Sequence, residues 1–434
     1  MDSFTIGIIG VVGLVAVVFM GMRVYLAAAL VGTLGLIAII GLESGLGLVG
    51  TIPHSKAVTY TLSVLPMFIL IGFLAFHAGI TESLFDAGRK WLGWLPGGLA
   101  VATVAAATGF AAVSGASTAT AAVFARTAIP DMLKYGYSPI LAAGVVAAGG
   151  TLATLIPPSA ILVIYAIIVE ESVGALLVAG FLPGIVSALI YVLLIVGMAK
   201  FNPSLGRPLT GFTWGERMKS LPGTFPIFLV VVIIFTAMYE GWATPTEAGA
   251  LGASVVFVMA MMKGMKVANL RDALMETAKL TVMIFSIIWG VLVFVRFLGF
   301  AGLPDAFAKW IVALPFEPLY ILIGILLFYA LLGMFMDAIG MLLLTLPVVY
   351  PAVIALGYDP IWFGIIVVKM AEICLITPPI GLNCFVVNGV RPDIPLNKVF
   401  RGVAPFFIAD VVTIAVLIAF PQIVTWLPQM MSMG

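Results

Sequence analysis

Two proline pairs interrupt long apolar stretches of this 434-residue chain. They stand at residues 157–158, within LATLIPPSA, and at residues 378–379, within LITPPIGLN. Because proline has no backbone N–H, the carbonyl four residues earlier in a helix loses its partner. In lipid such a carbonyl must be satisfied in another way. Two interpretations stay open: the carbonyls line a cavity and bind a hard cation such as Na⁺, or neighbouring helices satisfy an ordinary proline kink.

A small, hydroxyl-rich segment, SGASTAT, runs from Ser114 to Thr120. Its hydroxyl oxygens offer cation ligands without a buried charge. Small residues in membranes equally form helix-packing contacts, so the segment alone fits either a ligand site or a packing surface. Gly333 and Asp337 occupy a comparable interruption in the second half of the chain.

Five ionisable residues stand within apolar stretches, where a charge is costly and usually functional. They are Arg126, Arg296, Asp337, Lys369 and Glu372. Lys369 and Glu372 are three residues apart on one helix face, where the two charges can simply neutralise each other. The two arginines also fit side chains that extend to the membrane interface. Asp337 has no local partner, which makes it the better candidate for a translocation site.

The sequence gives no sign of an enzyme. His54 and His77 are the only histidines, and there is no nucleotide-binding loop and no carboxylate pair placed for acid–base catalysis. Cys374 and Cys384 stand in apolar surroundings, which favours neither a disulfide nor a zinc site. The 20 basic and 19 acidic residues are spread along the chain, so nucleic-acid binding is not expected. We predict no organic cofactor.

The elements that must position these residues are transmembrane helices. Hydrophobic residues make up 63% of the chain and charged residues 9%, against about 25% charged in a soluble domain. Long apolar runs match a hydrocarbon core of ~30 Å, and the absence of period-two alternation argues against a barrel. The first run has no cleavage signal and is predicted to be a retained helix. The predicted runs are 4–22, 24–42, 62–79, 97–113, 117–133, 139–169, 173–199, 222–240, 246–262, 280–299, 318–335, 338–356, 360–389 and 404–428.

Two pairs of runs, 97–133 and 318–356, are joined by very short loops and predict re-entrant hairpins. Cytoplasmic loops collect Lys and Arg, and the basic loops of this chain fall on one face, which places both termini in the periplasm. Full crossings by these pairs would leave that sidedness unchanged, so charge alone does not decide for hairpins.

The chain contains an internal repeat. An offset of 221 relates seven residues of the two halves, and an offset of 219 relates the segment before each hairpin, so that the repeat spans roughly 62–199 and 280–428. The charge-derived topology places Lys90 inside and the equivalent Lys309 outside. The copies are therefore inverted, which is the architecture of secondary transporters. The seven matched pairs are Pro130 and Pro351, Gly136 and Gly357, Tyr137 and Tyr358, Pro139 and Pro360, Ile140 and Ile361, Pro157 and Pro378, and Pro158 and Pro379.

These motifs resemble those of the large membrane subunit of tripartite ATP-independent periplasmic (TRAP) transporters, over nearly the whole chain. The matching pieces are SGASTATAAVFARTAIPDMLKYGYSP at 114–139, GGTLATLIPPSAILVIY at 149–165, AGFLPGIV at 179–186, ATPTEAGALGA at 243–253, GMFMD at 333–337 and ITPPIGLNCFVV at 376–387. The resemblance implies an all-α polytopic membrane protein with an inverted repeat, two re-entrant hairpins and broken helices. It further implies an elevator mechanism, in which a transport domain slides against a scaffold.

The expected division of the chain has four parts. They are N-terminal scaffold helices at 1–61, a first repeat with a cytoplasm-facing hairpin at 62–199, a cytoplasmic loop and scaffold helices at 200–279, and a second repeat with a periplasm-facing hairpin at 280–434.

The resemblance also implies two Na⁺ sites. The first would use Ser114, Ser117 and the backbone around Ala153, Ile156 and Pro158; the second would use Gly333, Cys374, Thr377 and Ile380. The repeat offset sends Ala153 to Cys374 and Ile156 to Thr377, so the two sites are symmetry mates. The usual family pattern has glycine at 153 and 374. For the solute we predict contacts from Ser114, Thr118, Asp337 and Asn383.

By this resemblance the chain is an Na⁺-coupled uptake subunit in the inner membrane of a bacterium, surrounded by lipid. Its expected partners are a separate small four-helix membrane subunit and a periplasmic binding protein that delivers a small organic acid, such as sialic acid or a dicarboxylate. The alternatives are a standalone ion-coupled anion or dicarboxylate transporter that needs no binding protein, a passive channel, and a membrane-embedded transferase acting on lipid-linked substrates.

Overall fold

The structure is a computed structural model that describes residues 1–57 and 59–432. Across those residues the regular elements are α-helices and three short 3₁₀ turns, without a strand. Helices satisfy their own backbone polar groups, as a lipid environment requires. They are α1 (Ser3–Phe19), α2 (Val24–Ile40), α3 (Leu42–Ala57), α4 (Val64–His77), α5 (Ile80–Leu92), α6 (Gly98–Ser114), α7 (Ser117–Lys134), α8 (Pro139–Thr151), α9 (Ala160–Val169), α10 (Val173–Phe201), α11 (Trp214–Ser220), α12 (Phe225–Tyr239), α13 (Pro245–Met262), α14 (Val267–Ala301), α15 (Leu303–Val312), α16 (Pro318–Gly333), α17 (Ala338–Ala355), α18 (Pro360–Cys374), α19 (Leu382–Val390), α20 (Leu396–Ala419) and α21 (Gln422–Ser432).

Several of these helices have the length and composition of membrane spans. Five in the described part of the chain qualify alone, and two bent pairs, α4 with α5 and α11 with α12, raise the number to seven if each pair is one span. Six shorter segments of 10–17 residues are also apolar. The chain is a multi-pass, all-α membrane protein, as predicted.

The internal repeat is visible in the helix boundaries. Adding 221 to the bounds of α7, 117 and 134, gives 338 and 355, the bounds of α17. The same offset carries the first residue of α8 to that of α18. Both helices break at the proline pairs, and α9 and α19 resume within one residue of equivalent positions. The peptide bond within each proline pair is cis. The predicted helix breaks are confirmed.

Two helical hairpins precede the broken helices. The first consists of α6 and α7 and turns at residues 115–116; the second consists of α16 and α17 and turns at residues 334–337. Gly115 ends α6 with a left-handed φ of 58°, which glycine adopts without strain. Asp337 begins α17 as its N-cap and accepts a hydrogen bond from the Gly340 N–H at 3.0 Å, as N-cap carboxylates do. The arms α6 and α16, with 17 and 16 residues, lie at the lower limit of the ~17–25 residues of a full crossing.

The predicted runs miss several helices. Helices α3, α5, α11 and α15 have no predicted counterpart, and α14 begins at Val267 rather than near residue 280. These segments carry charged residues within or beside short apolar stretches, such as Asp86 and Arg89 in α5, and so do not form a long apolar run. Of these, α5 and α15 have apolar residues that recur on one face of the helix.

The last predicted run, 404–428, is wrong as a single helix. The structure has α20 ending at Ala419 and α21 starting at Gln422. Phe420 precedes Pro421 and has a φ of −128° and a ψ of 72°. A proline ring disfavours the helical conformation for the residue before it, which ends α20 at this point.

Glycines allow two close helix crossings. In one, α14 packs along α2 and α4, and a Cβ built on Gly290 would lie 2.2 Å from the carbonyl oxygen of Tyr25 in α2. In the other, α8 of the first repeat crosses α20 of the second. A Cβ on Gly144 would lie 2.2 Å from the Gly402 oxygen, and one on Gly402 would lie 2.1 Å from the Ile140 oxygen. The two repeats are thus in backbone contact at this crossing.

Candidate cation and solute site

The first helix break lies between α8 and α9. Pro157 cannot donate to the carbonyl of Ala153, four residues earlier. The hydroxyl of Ser159 donates to the Thr154 carbonyl and accepts from the Leu162 N–H at 3.3 Å, so that it caps α9. Ala153, Ile156 and Pro158 are all buried at this break. The break therefore holds backbone carbonyls that its own helix does not satisfy.

The second break, between α18 and α19, repeats this arrangement. Pro378 cannot donate to the carbonyl of Cys374, the symmetry mate of Ala153. The Thr377 hydroxyl donates to the Ile373 carbonyl at 2.6 Å and keeps its lone pairs. Cys374 is buried, whereas Thr377 and Ile380 are half-buried. The structure thus brings together the predicted backbone contributors at each break.

Each hairpin tip contacts the break of its own repeat. A Cβ built on Gly115 would lie 2.2 Å from the Pro158 carbonyl oxygen, so this carbonyl is directed at the first tip. A Cβ on Gly333, at the end of α16, would lie 1.6 Å from the Sγ of Cys374. Both contacts are with residues predicted for the cation sites, one contact in each repeat.

Asn383 joins the two repeats. Its Nδ2 donates to the Ser117 Oγ at 2.8 Å and to the Ala147 carbonyl at 3.0 Å. Its Oδ1 is buried and has no partner, which costs free energy unless another group binds it. Ser114, on the other side of the tip, shares a 2.9 Å hydrogen bond with the Thr120 hydroxyl. The first tip therefore collects hydroxyl, amide and carbonyl oxygens.

The remaining predicted solute residues do not gather at one place. Thr118 is exposed on α7, one residue beyond the buried Ser117. Asp337 is half-buried at the second tip, where its carboxylate caps α17. This cap is a partner for Asp337 that the sequence did not reveal. Ser114 and Asn383 both belong to the environment of the first tip.

These groups fit an alkali cation in their chemistry. Hard cations prefer oxygen ligands such as carbonyls, hydroxyls and amides, and the buried, unpartnered Oδ1 of Asn383 is an oxygen with capacity for one. Among the described residues no group of three or more His, Cys, Asp or Glu side chains forms a metal cluster. Apart from the Asp337 carboxylate, which caps α17, the oxygens named at the tips and breaks are neutral, which suits a monovalent ion.

A buried charged network lies behind the second break. The Nζ of Lys369 in α18 donates to Glu372, to Asp410 Oδ1 at 2.7 Å and to the Ser187 Oγ at 2.7 Å. Tyr191 in α10 donates to the same Asp410 oxygen at 2.7 Å. The three charged side chains have an exposure of 0%. The Lys369–Glu372 pair is confirmed, whereas Asp410 and Tyr191 were missed.

An ionisable residue inside an apolar run indicates a paired or functional group at membrane depth. Applied to the run at 404–428, that rule identifies Asp410.

Two cavities lie beside the helices of the two repeats. One, of about 240 Å³, lies between the first hairpin and helices α4 and α14, and its walls include Ser114, Arg126 and Glu276. The other, of about 620 Å³, includes Arg296 and Tyr350. Arg126 and Arg296 are both exposed on cavity walls. Neither arginine is therefore packed in the interior.

The contact between Gly333 and Cys374 predicts the effect of a small substitution. Gly333→Ala should destabilise the protein by about 1–3 kcal/mol, the usual cost of overpacking, because the new Cβ would also lie 2.5 Å from the Cys374 Cβ, which a change of rotamer cannot move. Cys374→Gly in the same chain should restore the loss. Thermal unfolding in detergent measures both effects, with Gly324→Ala in the same helix as the control, since nothing lies within 4 Å of its Cβ position. Equal behaviour of the two single variants would contradict the contact.

Comparisons with known proteins agree with this architecture. The family model described as "Tripartite ATP-independent periplasmic transporter, DctM component" matches residues 11–423. The C4-dicarboxylate TRAP transporter large permease protein of Pseudomonas aeruginosa is 35% identical over 379 residues, which cover 86% of this chain and 88% of that protein. The sialic acid TRAP transporter large permease protein of Vibrio cholerae is 31% identical over 373 residues, 86% of this chain and 87% of that protein.

A solved structure is similar in fold. It is the Alcanivorax borkumensis YdaH transporter, described as having an unusual topology, with a TM-score of 0.61 and 14% sequence identity. The superposition covers 88% of this chain and 90% of that one. At this identity the similarity concerns the arrangement of helices.

Proposed function

The chain belongs to the DctM-component family of tripartite ATP-independent periplasmic transporters, and we propose that it couples the inward movement of Na⁺ to the uptake of a small organic acid. Membership of this family shows that the chain is the large permease component of a transporter. The coupling ion, the solute and the mechanism are the proposed parts. Dicarboxylate transport is the first choice of solute class, because the relative at 35% identity is named for C4-dicarboxylates.

One observation carries the proposal: two symmetry-related helix breaks each face a hairpin tip. At both breaks a proline leaves a carbonyl unsatisfied, that of Ala153 in one repeat and that of Cys374 in the other. The Pro158 carbonyl is directed at one tip and Cys374 contacts the other. Ligand sets at discontinuous helices in an inverted repeat are the usual place of coupling ions in secondary transporters.

The residues of the site would then have distinct roles. The hydroxyls of Ser114 and Ser117 and the carbonyls of Ala153, Ile156 and Pro158 would hold one Na⁺; Gly333, Cys374, Thr377 and Ile380 would provide the second set. The movement of Na⁺ down its gradient would supply the free energy for uptake of the acid. Asn383 holds the Ser117 hydroxyl in place at 2.8 Å, and movement of the hairpins against the scaffold helices would expose the solute alternately to each side.

We further propose the partners that the family name implies. A small membrane subunit would complete the membrane part, and a periplasmic binding protein would deliver the acid to the outward face in the inner membrane. Selection of the solute then rests largely with the binding protein. A requirement for that protein separates this proposal from a standalone anion transporter.

Removal of hydroxyl ligands should weaken the dependence on Na⁺. In proteoliposomes that hold this chain with its small subunit and binding protein, Ser117→Ala and Thr377→Ala should each raise the half-saturating Na⁺ concentration about 10- to 100-fold, the effect of one lost interaction with a charged group. Uptake of radiolabelled succinate or sialic acid is the measurement. Thr108→Ala is the matched control, because its hydroxyl bonds the Val104 carbonyl within α6 at 2.8 Å.

Three outcomes decide between the alternatives. Accumulation that needs both Na⁺ and the binding protein supports the proposal. Accumulation without the binding protein supports the standalone transporter. Uptake that is indifferent to Na⁺, or that never exceeds the external concentration, contradicts Na⁺ coupling.

A further inference from the structure

Arg126 lies on the wall of the 240 Å³ cavity beside the first hairpin. It stands on α7 at the end of a row with Ala119, Ala122 and Val123, which share its helix face by their spacing of three and four residues. The two alanines leave space beside the helix, and the guanidinium is the one cationic group among the residues lining this cavity. The opposite wall comes from α4 and α14.

The neighbouring charges are mostly paired with one another. His77 contacts Glu276 at 3.2 Å, Arg89 contacts Asp86 at 2.7 Å and Asp131 at 3.2 Å, and Lys90 also contacts Asp86. Throughout the described part of the chain, no carboxylate lies within ion-pair distance of Arg126. Glu82, which lines the adjoining groove with Arg126, is likewise outside that distance. The guanidinium thus keeps its donors for another anion.

The position of Arg126 relative to the tip suits a short ligand. Side chains on a helix lean towards its N-terminus, and the N-terminus of α7 is the hairpin tip. The Arg126 side chain therefore leans towards Ser114 and Ala116, which line the other end of the same cavity. An anion held by the guanidinium would have its far end close to the tip.

We propose that Arg126 binds a carboxylate group of the transported acid in this cavity, on the cytoplasmic side of the first hairpin tip. The guanidinium presents several donors in a plane and binds a carboxylate through two parallel hydrogen bonds. The volume of about 240 Å³ is below the ~300–1,000 Å³ of pockets for drug-sized ligands, which favours an acid of the size of succinate over a larger sugar acid. This inference rests on the proposed function.

A second role for the same residue would be an ion pair with Glu276 across the cavity when the helices move. The two side chains line opposite walls, but Glu276 is bonded to His77 in this structure. A gate of that kind would change the transport rate, whereas a ligand to the solute changes affinity. The two roles are therefore separable by experiment.

The test measures equilibrium binding of radiolabelled succinate, with Na⁺ present, to the complete membrane complex in lipid nanodiscs. Arg126→Gln should weaken binding about 10- to 100-fold, as expected for lost charged hydrogen bonds. Arg126→Lys should lose less, because it keeps the charge but not the planar donors. The neutral analogue succinamide should bind the wild type and Arg126→Gln equally. Arg401→Gln, an exposed arginine of α20 that lines neither cavity, is the control.

Equal succinate affinity in the wild type and in Arg126→Gln would overturn the inference. So would a loss of rate, without a loss of affinity, that Glu276→Gln reproduces, since that result indicates a gate. A wild-type complex that accumulates sialic acid but does not bind succinate would overturn the proposed size. If the wild type accumulates no acid under an Na⁺ gradient, the proposed function itself fails, which is distinct from all of these results.

Discussion

Replacing Lys369 with methionine should destabilise the folded protein by about 3–5 kcal/mol, the usual effect of removing one partner from a buried ion pair. The ammonium holds two carboxylates, those of Glu372 and Asp410, and all three side chains have an exposure of 0%. Without it both acids would be buried without a counter-charge. Already Glu372 Oε1 and Asp410 Oδ2 have no hydrogen-bond partner. Thermal unfolding of the purified protein in detergent measures the loss.

Two further variants make this prediction specific. Neutralising all three groups together, with Lys369→Met, Glu372→Gln and Asp410→Asn, should recover part of the stability, since breaking a buried pair costs more than replacing it. Lys398→Met provides the control, because Lys398 is exposed on α20. If Lys369→Met unfolds at the same temperature as Lys398→Met, the network has no stabilising role.

Gly115→Ala should reduce transport by at least about tenfold, since overpacking costs about 1–3 kcal/mol. The new Cβ would lie 2.2 Å from the Pro158 carbonyl oxygen, and this backbone atom cannot rotate away as a side chain could. The left-handed φ of 58° adds a further ~1–2 kcal/mol for any residue with a Cβ. The substitution would separate the hairpin tip from the helix break. Initial rates of uptake in proteoliposomes measure the effect.

A glycine with the same backbone conformation gives the control. Gly136 has a φ of 77°, but nothing lies within 4 Å of its Cβ position. Gly136→Ala therefore carries the conformational strain without the contact, and its uptake should stay close to that of the wild type. Equal losses in the two variants would show that strain alone, and not the tip contact, limits transport.

Much of the fold can be predicted from the sequence, because the bilayer restricts which segments can cross it. A helix in lipid needs a long apolar run, and the proline pairs that begin at Pro157 and Pro378 predict both helix breaks from the sequence alone. The requirement for a long apolar run does not predict helices such as α5 and α15. They are short and carry charges such as Asp86 and Lys309, so they form no long apolar run and are marked only by apolar residues that recur on one face of the helix.

The candidate site was only partly predictable, because its parts are distant in sequence. A proline implies a free carbonyl at Ala153 or Cys374 by local chemistry alone. The hydrogen bond from Asn383 to Ser117 joins residues 266 positions apart, and Lys369 meets Asp410 across 41 positions. No local pattern encodes such pairs. The cavity position of Arg126 likewise depends on α4 and α14, which lie across the cavity from α7.

The crossing of α8 and α20 limits how this protein can deform. At Gly144 and Gly402 the two backbones touch, with no side chains between them that could change rotamer and let one helix slide past the other. Shear motion in proteins proceeds through small sliding of packed helices, and it has little room at such a crossing. Helices α8 and α20 should therefore be displaced together as a single stiff unit. Hydrogen exchange of the amides along α8 and α20 should accordingly be slow. It should also vary little when the protein changes conformation during transport.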